Sequence, residues 1–238
     1  MIKRNLSMLL VLVMILSLLA GCSGKPGESG GNEEVPNNVP ETTAAPTEPE
    51  RPLSLGVVEG STYTNTYAGL GITLDDGWTV LPVDQLQELP NAVKDSMEGT
   101  ALGDAMKDVQ QFTDMFAENV NDMTNMNILF QKQSMQERIA FRMLSEEEII
   151  DETLNQKDTM VEAYSAAGIN VSSMEKVKVT FLGEEHFALK TVAETQGVPY
   201  YMLQVFNYHL GEYSIVITLA SFTEDNTESM LELFYPVE

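Results

Sequence analysis

The sequence predicts an α+β fold: a mostly antiparallel β-sheet with helices packed on one or both of its faces. Three observations carry that prediction. Four segments between 176 and 220 are rich in β-branched and aromatic residues and are joined by short, glycine-containing connections, which favours antiparallel neighbours. A helix with a complete N-terminal signature starts at Ser145. Two shorter segments, 61–78 and 126–133, add strand signals ahead of that helix.

STYTNTYAGLGITLDDGW (61–78) predicts strand, turn, strand, because Ile72 and Leu74 alternate with Thr73 and Asp75. Asp76-Gly77 marks a turn, after which Trp78 re-enters the core. Leu86 and Leu89 suggest a short helix after Pro82. A longer helix is expected from about Asp104 to Glu118, with Met106, Val109, Phe112, Thr113 and Phe116 on its buried face at spacings of three and four. MNILFQKQ (126–133) predicts a strand. Ser145 and Glu148 form a capping box. Ile150, Leu154, Val161 and Tyr164 continue that helix as an apolar stripe, and Gly168 suits its C′ position. Strands are expected over about 176–182, 186–195, 199–209 and 212–220, with joints at 183–185, 196–197 and 210–211. A last helix is expected over 224–234, capped by Thr223.

This order of elements resembles the PsbP-like fold, named for an extrinsic photosystem protein. The residues that carry the resemblance are YAGLGITLDDGW (67–78), similar to the family's opening strand and Trp-bearing turn, and YSIVITLASFTEDNTESMLELF (213–234), similar to its closing strand and helix. The resemblance implies an accessory or binding protein and brings no catalytic set onto this chain.

The N-terminal segment has a different character. MIKRNLSMLLVLVMILSLLAGC opens with Lys3 and Arg4, continues as an apolar run from Leu6 to Ala20, and ends in small residues, the layout of a secretory signal. The run is shorter than the roughly 20 apolar residues that cross a bilayer. Leu19-Ala20-Gly21-Cys22 resembles the lipobox of bacterial lipoproteins at every position. That resemblance implies a signal peptide over 1–21, cleavage between Gly21 and Cys22, a diacylglyceryl thioether on Cys22, and further acylation of its amine by a palmitate-type chain. Two or more acyl chains hold a protein stably where one does not. The expected location is the outer face of the cell membrane, and the tether is similar to those of Gram-positive bacteria. Cys22 is the only cysteine, so no disulfide stabilises the domain.

Residues 22–54 read as the lipidated cysteine and a tether. Six of the ten prolines lie between Ser23 and Pro52, among Gly, Ser, Thr and Glu. Such a composition buries too little to offset the entropy of ordering and spans about 30 Å as a coil, or up to roughly 90 Å extended. Residues 55–238 are then expected to form one α+β domain.

Charge narrows the partners. Of 13 basic side chains, Lys3 and Arg4 leave with the signal, so 11 face 36 acidic ones and the balance is −25. Nucleic acid is excluded as a partner, since phosphate binding needs clustered Lys and Arg. Membrane attachment would rest on the acyl chains, with a protein or cell-envelope component as a possible further partner. The sequence does not specify an oligomeric state.

Candidate chemistry is sparse. His186 and His209 are the two histidines, and neighbouring strands could bring them together. Glu184, Glu185 or Glu212 would supply the third ligand that a zinc site needs, while the plainer reading is two surface histidines at sheet edges. NVNDMTNMN (119–127) is rich in oxygen donors but lacks the order of a calcium loop and reads as a connection between a helix and a strand. Methionines from Met97 to Met143 are scattered and read as core filler or an adaptable surface. Tyr200, Tyr201, Phe206, Tyr208 and Tyr213 would form an aromatic patch if one sheet face were uncovered, and core otherwise. No HExxH, P-loop or GxGxxG occurs, and the GxSxG match at 27–31 lies in the proline- and glycine-rich tether, away from any predicted strand-to-helix turn, so no catalytic residue and no cofactor is expected. The sequence favours a non-catalytic binding or accessory lipoprotein. A metal- or small-ligand-binding lipoprotein is the alternative, followed by a cell-envelope hydrolase.

Overall fold

The structure is a computed structural model that describes residues 53–81, 86, 110–207 and 211–237. Its strands are β1 (Val57–Glu59), β2 (Thr62–Asn65), β3 (Leu70–Thr73), β4 (Thr79–Val80), β5 (Gln111–Asn119), β6 (Thr124–Lys132), β7 (Ile169–Phe181), β8 (Glu184–Thr195), β9 (Val198–Asn207), β10 (Tyr213–Phe222) and β11 (Phe234–Pro236). Its helices are α1 (Met135–Arg142), α2 (Glu146–Leu154), α3 (Lys157–Ala166) and the single turn α4 (Thr227–Met230), which runs into a 3₁₀ turn at Leu231–Leu233. The predicted α+β class, with mostly antiparallel strands, is the observed one.

Seven strands form one sheet in the order β4-β5-β6-β10-β9-β8-β7, and four form a second in the order β1-β2-β3-β11, with every pairing antiparallel. The chain leaves β6, crosses one face of the large sheet as α1–α3, enters at the far edge as β7, and returns strand by strand until β10 pairs with β6. The two-residue joints Leu182-Gly183 and Gln196-Gly197 hold φ of 51° and 87°, and of 52° and 81°. This is the doubly left-handed backbone that fits the twist of tight hairpins. The exposed edge β7 carries Lys176 and Lys178, charges of the kind that discourage further strand pairing.

The large sheet is covered on both sides. Phe141, Ile149, Ile150, Met160 and Tyr164 of the helices pack on Leu189, Met202 and Val216 of one face. Tyr63, Leu70 and Ile72 of the small sheet, with Met230 and Phe234, pack on Phe130, Leu203, Ile215 and Ile217 of the other. Covering both faces explains why β9 and β10 read as nearly continuous apolar runs. Helices thus occupy one face of the large sheet, while the small sheet takes most of the other.

Two bulges set the registers. In β5 the pairing jumps from Thr113–Leu129 to Met115–Ile128, leaving Asp114 as the extra residue. In β7 it jumps from Val171–Ala193 to Ser173–Val192, leaving Ser172. An extra residue reverses the alternation beyond it, so Phe112 shares a face with Met115 and Ala117, and Ile169 shares one with Met174.

Three element predictions are corrected. The helix expected over 104–118 is strand from Gln111 onward; its part before Gln110 and most of the short helix after Pro82 lie outside the described residues, although Leu86 is helical and buried. The helix expected from Ser145 to Ala167 is two, α2 and α3. Thr153 donates its hydroxyl to the Ile149 carbonyl at 2.9 Å just before the break, a back-bond that bends helices. The last helix is one turn plus a 3₁₀ turn, because Phe234 leaves it to pair with Ile72. Thr223 has φ of 68° and does not cap, and Asn226 takes that position.

Tyr164 is fully buried with no partner for its hydroxyl, and burial holds the phenol well above its usual pKa. An unpaired buried hydroxyl costs on the order of 1–3 kcal/mol. Tyr164→Phe is therefore expected to stabilise the protein by about 1 kcal/mol in chemical denaturation, and a destabilised variant would show that the hydroxyl is satisfied.

Candidate functional site

The site is built where β8 and β9 part. Their ladder runs from Thr195–Val198 to Ala188–Val205 and stops there. β9 continues alongside β10, with Val216 opposite Phe206 and Ile215 opposite Asn207, and β8 continues alongside β7, with Val179 opposite His186. Between the two arms of this fork the sheet has no ladder. A pocket of about 360 Å³ occupies the opening, within the size range of small-ligand sites.

Residues from both core faces line the pocket because the opening passes between them. Phe181, Val205, Ile215 and Ile217 form its wall, Ala68 and Leu70 come from the small sheet, and Ile149 and Phe206 come from the helical side. Leu182 lines it from the β7–β8 turn, held at positive φ by the two-residue joint.

The polar lining is Glu146, His186 and Asn207, and the first two form a pair. Glu146 is the first residue of α2, and the capping box before it fixes where that helix begins. Ser145 accepts from the Glu148 amide at 3.3 Å, and Glu148 accepts from the Ser145 amide at 2.8 Å. The Ser145 amide and hydroxyl, both donating to the Glu148 carboxylate at 2.8 Å, hold it below its usual pKa. The helix start brings Glu146 over the open end of β8. Its Oε2 accepts from the Phe187 amide at 2.9 Å, beyond the point where the β8–β9 ladder ends. Its Oε1 lies 2.9 Å from His186 Nδ1. A carboxylate oxygen facing a ring N–H accepts from it, so Nδ1 carries a hydrogen, and Nε2 is the ring nitrogen left for another partner. The His186 ring also meets Phe181 edge-on, with centroids 5.9 Å apart.

A second polar cluster braces the pocket from behind. The bulge at Asp114 turns its carboxylate toward the small sheet. There it accepts from the Tyr63 hydroxyl at 2.5 Å, the Asn65 side-chain amide at 2.7 Å and the Gly56 amide at 2.9 Å. Asn65 in turn accepts from the backbone amide of Ala68, a pocket residue, at 2.8 Å. Gly56 is required at its position, since a Cβ there would lie 2.1 Å from the Tyr63 ring.

The structure sorts the candidates predicted from sequence. His186 lies in the pocket wall and pairs with Glu146. His209, and also Gly21 and Cys22, lie outside the described residues. Among the described residues no group of three or more His, Cys, Asp and Glu is placed to hold a metal ion. Asn119, Asn121 and Asp122 bond to one another in the turn between β5 and β6, so that stretch joins two strands and not a helix and a strand. Met115, Met126, Met160, Met174, Met202 and Met230 are core, whereas Met123, Met135 and Met143 are exposed. Tyr200, packed against Phe222, and Phe206 are core, Tyr213 packs half-buried against Tyr67, Phe112 and Phe130, and Tyr208 lies outside the described residues. Among the described residues no helix is long and apolar enough to cross a membrane.

Glu146 and Asp114 are the site residues that the sequence did not disclose. Glu146 sits inside the SEEE run, where it reads only as a helix-start acid. Asp114 falls in a segment whose spacing imitates a helix.

No protein-family model and no curated protein matches the chain. Among solved structures it is similar to the solution structure of cyanobacterial PsbP (CyanoP) from Synechocystis sp. PCC 6803. The sequence identity is 11%, 77% of this chain and 97% of that one are covered, and the TM-score is 0.41. The matched protein is of the PsbP kind that residues 67–78 and 213–234 resemble. A likeness of this size carries no argument about ligand or partner, so the functional reading rests on this chain's own site.

Proposed function

We propose that the chain is a lipoprotein held by acyl chains on Cys22 at the outer face of a bacterial cell membrane, and that its folded domain is a non-catalytic binding module. The observation that carries the binding role is the pocket at the β8–β9 fork. It is a concave, mainly apolar space with one fixed polar pair, the arrangement small-ligand sites share. The described lining residues include no serine, threonine, cysteine or lysine that could act as a nucleophile beside His186, which favours binding over acyl transfer. The anchoring part is supported by the LAGC motif and the proline-rich tether behind it.

Mass spectrometry of the membrane-extracted protein tests the anchor. The expected N-terminal peptide begins at Cys22 and carries the added mass of diacylglycerol, and Cys22→Ser is expected to move the protein from the membrane fraction to the medium. A free thiol at Cys22, or retention of residues 1–21, would contradict the anchored reading.

A further inference from the structure

The chemistry of the fork specifies the kind of ligand, an inference that rests on the binding reading above. About 30 Å³ of liquid volume per water-sized group gives a 360 Å³ space room for about a dozen non-hydrogen atoms. The wall is made of Phe181, Val205, Ile215 and Ile217, so it suits a compact apolar body and penalises an unpaired charge. Each oxygen of Glu146 already accepts a hydrogen bond from this chain. The carboxylate engages Nδ1 of His186 and leaves Nε2 as the ring's remaining polar atom. Because Glu146 holds the ring in place, Nε2 is positioned before any ligand arrives, which lowers the cost of binding.

We propose that this pocket takes an uncharged, apolar molecule of about a dozen non-hydrogen atoms bearing one hydroxyl, which hydrogen-bonds to His186 Nε2. A phenol or alcohol with a short aliphatic chain meets that description. A carboxylate head would bring a second negative charge beside Glu146, and an ammonium head would lose its hydration against an aliphatic wall.

The test compares para-hexylphenol with hexylbenzene on the full chain carrying Cys22→Ser, so that no attached lipid competes. Titrations are followed by calorimetry and by the imidazole nitrogen resonances of His186. The phenol is expected to bind roughly five- to tenfold more tightly, the worth of one net hydrogen bond, and to shift the His186 Nε2 resonance where hexylbenzene does not. His186→Phe is expected to equalise the two affinities without abolishing either. Equal binding by the unsubstituted site, or an Nε2 resonance that the phenol leaves unmoved, would overturn the hydroxyl assignment while leaving the pocket a binding site. If neither probe binds, the pocket reading itself falls.

Discussion

Asp114→Ala is expected to destabilise the protein by about 3 kcal/mol, the largest loss from any single side chain outside the apolar core. Three donors converge on this carboxylate, and one of them, the hydroxyl of Tyr63, belongs to a side chain that is only 1% exposed. Removing the acceptor leaves buried donors unpaired, at on the order of 1–3 kcal/mol for each that water cannot reach. For a domain of this size that is a fall in melting temperature of roughly 6–12 °C. Asp114→Asn keeps an acceptor oxygen and is expected to lose about half as much. The effect should also reach the pocket, because Asn65 holds the amide of Ala68 and is itself held by Asp114. Thermal melts of the two variants check this. A loss below about 1 kcal/mol for Asp114→Ala would show that the bulge is not an organising feature.

The second large effect is alkaline unfolding. Tyr63, Tyr164 and Tyr200 all have pKa values raised above the usual 10.0. For each the first cause is burial; Tyr63 has in addition the charge of Asp114, and Tyr164 the nearby Tyr200. A group whose pKa is raised by folding contributes stability that is fully present below its unfolded pKa. That contribution is lost as pH climbs from there toward the folded value. Stability should therefore hold up to about pH 10 and fall above it. Each tyrosine contributes a slope of about 1.4 kcal/mol per pH unit, so three together give about 4. Lys190 adds a loss in the same direction. Burial lowers its pKa, but the hydrogen bonds and charges of Asp225 and Glu228 outweigh that and leave it raised. Denaturant titrations at a series of alkaline pH values, with tyrosinate absorbance recorded alongside, measure both quantities. Tyr63→Phe should reduce the slope by about a third. Tyrosinate appearing before the fold is lost would contradict the burial of these phenols.

How far the sequence could be read depends on which elements obey a local rule. β8 to β10 and the second half of β7 were legible because Gly183 and Gly197 punctuate them and their side chains are strongly apolar, whereas β7 begins at Ile169, ahead of the 176 expected. The start of α2 was legible because Ser145 and Glu148 state it directly. The same signature at Ser134 and Glu137 caps α1, but Met135 and Ile139 of that helix are exposed, so no buried apolar stripe accompanies it. β5 was misread for a physical reason. Phe112, Thr113 and Phe116 have helical spacing, but the bulge at Asp114 puts Phe112 on one face with Met115 and Ala117. The end of the chain was misread because strand pairing with β3 overrides the helical propensity of LELF. The site was the least legible part. No local pattern says that β8 and β9 stop pairing at Ala188 and Val205, or that Glu146, forty residues upstream of His186, fills the gap.

The account stands on the pocket at that fork being a real apolar space bounded by Glu146 and His186, and crystals of the protein equilibrated under xenon test it most directly. Apolar cavities stay dry and take up such gases. The account predicts xenon density between Phe181, Val205 and Ile217, with the Glu146 carboxylate still on the Phe187 amide. A continuous β8–β9 ladder through Phe187 with no xenon between the strands would contradict it.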